Sequence, residues 1–359
     1  MPSQIPGHLR PFVGEQDYAK RYSPRDHAVW RFSMKALAAQ LRHTAHPVYF
    51  DGLARTGIGV DRIPSIDEMN ACLERLGWQA VVVDGFIPPQ VFMEFQAHRI
   101  LPIALDMRSI DHVLYTPAPD NLHESAGHAP IIADEEYAEY LQRFGEVGVK
   151  AMYSDRDVEQ YEAIRARSIL KQDPAPTAQQ LTAAERRLEA CTAALKQPSE
   201  LALLGRLHWW TVEYGLVGTP QDYRLFGAGL LSSLGESESC LDASIAKLPL
   251  TAEAVRTPYD ITREQPQLFV TRSCRHLTQV LEEFSETMCY RRGGSEAMVT
   301  AVDSGIITTA ELSSGVQLSG RFSTCMQNAL GREIFIATTG PSQLAWGSEE
   351  LAGHGIDVH

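Results

Sequence analysis

Nowhere in the 359 residues is there a run of about eighteen apolar side chains, so a membrane-spanning helix is not expected. Positive charge is also in short supply. Thirty-two Lys and Arg stand against 45 Asp and Glu, a formal net charge of −13. A phosphate backbone or an anionic bilayer repels such a surface, so neither nucleic acid nor membrane is an expected partner. The six cysteines (Cys72, Cys191, Cys240, Cys274, Cys289 and Cys325) include no pair at C-x-x-C spacing, which argues against a zinc ribbon or a thioredoxin-type couple. Reduced, mostly buried thiols are expected instead. The opening residues, MPSQIPGHLR, lack the apolar core of a secretory signal, and a cytoplasmic location is expected. No internal repeat or low-complexity tract is visible.

What is present is an ordinary globular composition, 44% hydrophobic, long enough for two domains or one large domain with additions. Apolar residues recur at helical spacing over 28–41, over 66–76 up to Gly77, over 88–101, over 134–152, over 157–171 and over 178–196. Pro198, Ser199 and Glu200 open a further helix expected to run through HWWTVEYGL. The run 78–83, followed by Asp84 and Gly85, reads as a strand and a turn. Beyond 291, Gly, Ser and Thr become frequent. Val316, Leu318, Gly320 and Phe322 alternate with polar residues there, as do Ile334 and Ile336, which is strand periodicity. The fold expected is mainly α with small β elements, an α+β class. Its parts are an N-terminal extension over 1–60, a central domain over 61–290 with a helical insertion at about 155–200, and a small β-rich segment over 291–359.

The densest chemistry lies in PDNLHESAGHAPII, residues 119–132. His123 and His128 are five apart, with Glu124 between them. The zinc-protease signature H-E-x-x-H needs a spacing of four, on one helical face. Five residues turn a regular helix about 140° past that face, so the protease reading fails by one residue. Gly127 and Pro130 mark a broken helix end, where both imidazoles could still meet one ion. A carboxylate as third ligand would complete a two-histidine, one-carboxylate triad of the non-haem iron(II) type. The candidate is Glu213, set among aromatic and apolar residues in LHWWTVEYGLVG, where an ionised carboxylate needs a partner. His208 is an alternative ligand. On the residues alone other readings stay open: two hydrogen-bonding histidines, a Glu213 that pairs with Arg or keeps its proton, a zinc hydrolase, or a catalytically silent amino-acid-binding protein.

Five segments in order go further. YTPAPDNLHESAGHAPI resembles the iron-binding segment of the pterin-dependent aromatic amino acid hydroxylases, and HWWTVEYGL resembles the segment carrying that family's iron-binding glutamate. FGAGLLSSLGE, YDITREQPQLFV and DRIPSIDEMN resemble three more of its segments. The resemblance covers roughly residues 60–150 and 200–285, and implies that the central domain is a catalytic domain binding iron and pterin. By that resemblance His123, His128 and Glu213 are the metal ligands. Arg108 grips the substrate carboxylate and Asp120 holds Arg108. Thr116, Pro117, Trp209, Tyr214, Gly229, Ser232 and Ile261 lie along the substrate, and Gly85, Phe86, Ile87, Phe92, Glu124 and His208 along the pterin. Glu124, Ser232 and Glu236 are the catalytic candidates, with Ser232 steadying a ligand histidine. His208 stands where many members have Tyr.

The resemblance implies a monooxygenase that uses Fe(II), a tetrahydropterin and O2 to hydroxylate the ring of an aromatic amino acid. Ile261, apolar at a position resembling one that distinguishes members, argues against a catechol-forming tyrosine hydroxylase, and the first expectation is phenylalanine to tyrosine. Tryptophan, or the meta position of phenylalanine, is the alternative. A monomer or small homo-oligomer is expected, without the helix-mediated tetramer of the animal enzymes.

Overall fold

The computed structural model describes residues 5–14, 18–83, 87–114, 119–172, 176–195, 197–261 and 264–359. The chain divides into two compact units, one of Met1–Val149, Ser168–Thr177 and Leu203–Phe284, the other of Lys150–Arg167, Ala178–Ala202 and Ser285–His359. Both mix helices with strands, in keeping with the α+β class. Among the described residues no helix is long and apolar enough to cross a membrane.

In the first unit the helix Pro24–Gln40 begins at a capping box, in which Ser23 and Asp26 satisfy each other's backbone N–H groups. It buries Val29, Trp30, Met34 and Leu37. Trp30 donates from Nε1 to the Gly59 carbonyl at 3.0 Å, and the Gln40 amide donates to the Leu234 carbonyl at 3.0 Å. The units therefore do not divide at residue 60. An apolar helix face needs cover, and later segments of the same unit supply it.

The strands Gln79–Val83 and Ile100–Ala104 pair in parallel, and Ile100–Ala104 is buried throughout, as expected of a parallel pair with helices around it. The helix between them, Pro89–Ala97, is shorter than the pattern over 88–101 suggests. Arg99 adopts φ +57° and turns the chain, so Ile100 and Leu101 enter the strand. The helix Glu135–Gly148 crosses Pro89–Ala97 at backbone contact. A Cβ on Gly145 would fall 2.2 Å from the Ala97 nitrogen and 2.4 Å from the Met93 carbonyl oxygen. This approach aligns Phe92, Gln96 and Phe144 against a single later residue, His208.

A four-stranded sheet completes the first unit, in the order Asp222–Leu225, Leu216–Thr219, Gln267–Thr271, Ala246–Pro249. Its first pair is antiparallel and the other two are parallel.

In the second unit Gln160 in the helix Asp155–Gln172 donates to Thr192 in the helix Ala178–Ala194, and Arg156 donates to the Ala194 carbonyl. The Glu200 carboxylate accepts the N–H of Met152 at 2.9 Å and that of Cys289 at 2.7 Å. One half-buried acceptor thus joins the inserted helices to the C-terminal segment, two additions that look independent in sequence. Beyond the helix Gly294–Ser304, the strands Ile307–Glu311, Val316–Gln327, Glu333–Trp346 and Glu349–Glu350 form an antiparallel sheet, matching the alternation seen after 291.

Replacing Gly145 by Val forces two helix backbones apart, and overpacking of this kind costs about 1–3 kcal/mol. Urea unfolding of Gly145→Val is expected to show a lower midpoint; an unchanged midpoint contradicts the close crossing.

Candidate functional site

The segment His123–His128 is a π-helical turn. Its backbone bonds run i→i+5 instead of i→i+4, so residues five apart come one above the other. The spacing that fails on an α-helix therefore succeeds here. The imidazole centroids lie 4.7 Å apart, and the two Nε2 atoms 3.0 Å apart. The helix does not simply break at Gly127, as its sequence suggests, but widens before passing into the 3₁₀ turn Ala129–Ala133. Gly127 is needed for packing: a Cβ there would meet the Ala228 carbonyl oxygen at 2.8 Å.

The second half of the site repeats the device. The helix Glu200–His208 does not continue through HWWTVEYGL as an α-helix. It widens into the π-helical turn Trp209–Glu213, then gives way to the strand Leu216–Thr219. His208 and Glu213, again five apart, face the same region, with His208 Nδ1 3.7 Å from Glu213 Oε1.

Glu213 meets both histidines of the first turn, Oε2 lying 3.2 Å from His123 Nε2 and Oε1 3.3 Å from His128 Nε2. One ligand-type atom from each of the three residues lies within 4.8 Å of the others. Burial raises the Glu213 carboxyl, but His128 and His123 outweigh it and hold the group well below the usual carboxylate range. Ser232 sets the tautomer of His123. Its hydroxyl donates to the Ala228 carbonyl at 2.7 Å, so toward His123 Nδ1, at 3.0 Å, it accepts. The ring proton is thereby assigned to Nδ1, and the Nε2 lone pair turns into the cluster. Two imidazole nitrogens and an ionised carboxylate converging at these distances fit a divalent metal of the facial-triad kind. His208 lies beside this group of three and is not one of it. Burial lowers its ring to about 4, and the ring lies edge-on to Phe92 and Phe144 with Gln96 3.4 Å from Nε2.

Beside the triad, Arg108 and Asp120 form a buried fork, their side chains 1% and 3% exposed. Arg108 donates from Nε and Nη2 to the two carboxylate oxygens at 2.8 and 2.7 Å. Its backbone N–H adds a third bond to Asp120, and Nη1 donates to the Ser232 carbonyl at 2.8 Å. Burial works to raise the Asp120 carboxyl, but Arg108 prevails and holds it low.

A family model described as biopterin-dependent aromatic amino acid hydroxylase matches residues 13–166 and 189–292. The chain belongs to this family. It is 32% identical over 272 residues to the phenylalanine-4-hydroxylase of Ralstonia nicotianae, covering 75% of this chain and 73% of that protein. It is 29% identical over 264 residues to that of Pseudomonas aeruginosa, covering 73% and 84%. A crystal structure of Chromobacterium violaceum phenylalanine hydroxylase, with bound iron(III) and oxidised 7,8-dihydrobiopterin, superposes with a TM-score of 0.60 at 29% identity, over 77% of this chain and 85% of that one. A second, with iron and phenylalanine bound, gives 0.57 at 29% identity over 75% and 82%. Membership of the hydroxylase family leaves the zinc-hydrolase alternative without support.

The remaining residues singled out in the sequence group around the triad unevenly. Glu124 is buried, 3.8 Å from His128 Nε2. Its Oε2 has no hydrogen-bond partner, and burial raises its carboxyl to about 8 against the pull of His128. Glu236 is also raised by burial, to about 7, while Tyr214 donates its hydroxyl to both carboxylate oxygens at 2.9 and 3.0 Å. A Cβ on Gly229 would lie 3.0 Å from both the Glu213 carbonyl oxygen and the Tyr214 ring, so this glycine sets the packing behind Glu213. Ile87 packs on the core cluster of Leu9, Val81, Val83, Phe95 and Ile100. Ile261 is half-buried in the turn after Tyr259. Gly85, Phe86, Thr116 and Pro117 lie outside the described residues.

Two contributors escaped the sequence reading. Tyr259 stacks on Trp209 at 4.3 Å with the ring planes nearly parallel, and Gln96 joins His208. Tyr259 opens the YDIT segment, which was the available signal; Gln96 carries none beyond its place on a half-apolar helix.

Removing one partner of a buried ion pair strands the other, at a cost of about 3–5 kcal/mol. Asp120→Asn is expected to lose stability on this scale in urea unfolding at pH 7. The folded carboxyl lies below its unfolded value, so its contribution is present above about pH 4 and fades as the pH falls through the folded value. The gap between wild type and variant should therefore narrow in acid; a constant gap contradicts the assignment.

Proposed function

We propose that this chain is an Fe(II)- and tetrahydropterin-dependent monooxygenase that converts phenylalanine to tyrosine. The convergence of His123, His128 and Glu213 carries the reading, supported by the family match and the named activity of the relatives. When bound, iron and the tetrahydropterin supply the activation of O2 and the two reducing electrons.

The protein's own part is placement. His123, His128 and Glu213 would hold the iron on one side and leave the other side to the reactants. Asp120 and the Ser232 carbonyl fix the Arg108 guanidinium, so its N–H groups can receive the amino acid carboxylate in one orientation. Ser232 also fixes His123. One residue therefore relates the grip on the substrate to the metal ligands, which is how the ring end comes to be placed for reaction. Trp209 and Tyr259 make a flat aromatic wall suited to a substrate ring. Glu236, its carboxyl near neutrality, is suited to hold or release a proton beside the substrate. Glu124, with a buried unpartnered oxygen, and Phe92, beside His208, are the contacts offered to the pterin. The six free thiols fit a reducing compartment, and the reading places the enzyme in the cytoplasm as a monomer or small homo-oligomer.

Incubation with Fe(II), a tetrahydropterin, O2 and phenylalanine is expected to yield tyrosine together with oxidised pterin, by mass and NMR. Equal O2 uptake without pterin, or a product other than tyrosine, contradicts the proposal. Arg108→Lys retains the charge but loses the fork, and should raise KM for phenylalanine about tenfold or more while leaving KM for the pterin nearly unchanged.

A further inference from the structure

Away from the triad, and unused by the proposed reaction, His46, Asp134 and Cys274 bring a ring nitrogen, a carboxylate oxygen and a thiol sulfur within 4.8 Å of one another. They come from segments far apart in sequence. His46 precedes the helix Tyr49–Arg55, Asp134 caps the helix Glu135–Gly148 and Cys274 opens the helix Cys274–Ser285. Cys274 is 4% exposed, and the other two are half-buried. We propose that these three residues form a second metal site, selective for zinc-like divalent ions, which clips the three segments together.

The donor set carries the choice of metal. A thiolate and an imidazole suit zinc, and one carboxylate with a water completes a tetrahedron. Bonds of about 2.0 Å to nitrogen and oxygen and about 2.3 Å to sulfur set tetrahedral ligand atoms roughly 3.3–3.6 Å apart, so a cluster whose atoms lie within 4.8 Å of one another needs only a modest closure on binding. Tyr137 N–H donates to Asp134 Oδ1 at 3.0 Å and steadies the carboxylate. Val48 N–H reaches His46 Nδ1 at 3.2 Å, a long contact that a metal bond there would displace. Burial and the adjacent Asp134 keep the Cys274 thiol protonated in the absence of a metal. Binding exchanges that proton for the ion: the S–H bond breaks, a sulfur–metal bond forms, and one proton leaves to solvent.

The clip bears on the triad through the backbone. Asp134 follows His128 by six residues. His46 donates its backbone N–H to the Leu225 carbonyl at 2.7 Å. Two residues on, a Cβ on Gly227 would lie 2.4 Å from the Glu213 carbonyl oxygen. Zinc at this site would hold the chain leading out of one ligand turn beside the chain that packs on the other.

Cobalt(II) titration of the metal-free full-length protein tests this, since the triad has no sulfur and cannot give a thiolate-to-cobalt charge-transfer band. Two equivalents are expected to bind, one of them with such a band in the near ultraviolet. Cys274→Ser should bind one equivalent without the band. His46→Ala, which leaves the helix-opening residue intact, should weaken the band-forming event about tenfold or more. No thiolate band in the wild type, or a band that survives in folded Cys274→Ser, overturns the proposal.

Discussion

An ionised carboxylate buried among aromatic rings is costly unless something meets it, and Glu213 sits in such surroundings. Two imidazole nitrogens meet it, from His123 and His128, within 3.3 Å. The backbone makes this possible by widening twice. Each π-helical turn lets residues five apart share one side, so the two histidines come together on one segment and Glu213 comes round to them on the other. A regular α-helix in either place would send one ligand away from the cluster. π-Turns give up ideal backbone geometry, and here the gain is a set of converging ligands.

The rest of the first unit keeps those turns in register. Glycines at 127, 227 and 229 let the helix Ala228–Ser232 lie against both ligand segments at backbone distance. The end of that helix is Ser232, whose hydroxyl accepts from His123 and whose carbonyl accepts from Arg108. A shift of this residue would disturb His123 and the arginine fork together. The fork is itself rigid, since Asp120 takes both a side-chain pair and a backbone N–H from Arg108. Precision of this kind suits a reaction in which an oxidant must meet one ring position of one bound amino acid.

The chemistry of the site was largely legible in the sequence, because ligand types and motif order are local properties. The strand Gln79–Val83, the strands beyond 307 and most helices were legible as well, since apolar periodicity and caps report them directly; the strand Ile100–Ala104 and the four-stranded sheet of the first unit, whose strands are only four or five residues long, were not. The geometry that unites the ligands was not. A period of 3.6 describes both segments well enough to hide an extra residue in a turn, and His123 with His128 therefore looked mismatched. Arg99, at positive φ, ended a helix that its apolar pattern would have carried into Ile100 and Leu101. The division into units was also hidden. It depends on contacts such as Trp30 to Gly59 and Glu200 to Cys289, which join residues far apart in the chain. Tyr214 illustrates the same limit at small scale: it was expected along the substrate, while its hydroxyl bonds to Glu236.

The central claim is that two widened turns deliver two imidazoles and one carboxylate to a single iron, with His208 held back by Gln96 and its flanking phenylalanines. Counting imidazole ligands tests it most directly, by pulsed electron paramagnetic resonance of the nitrosyl adduct of the Fe(II)-loaded protein. Nitrogen couplings from two coordinated imidazoles are the predicted result. A third imidazole on the iron, lost in His208→Phe, would contradict the account.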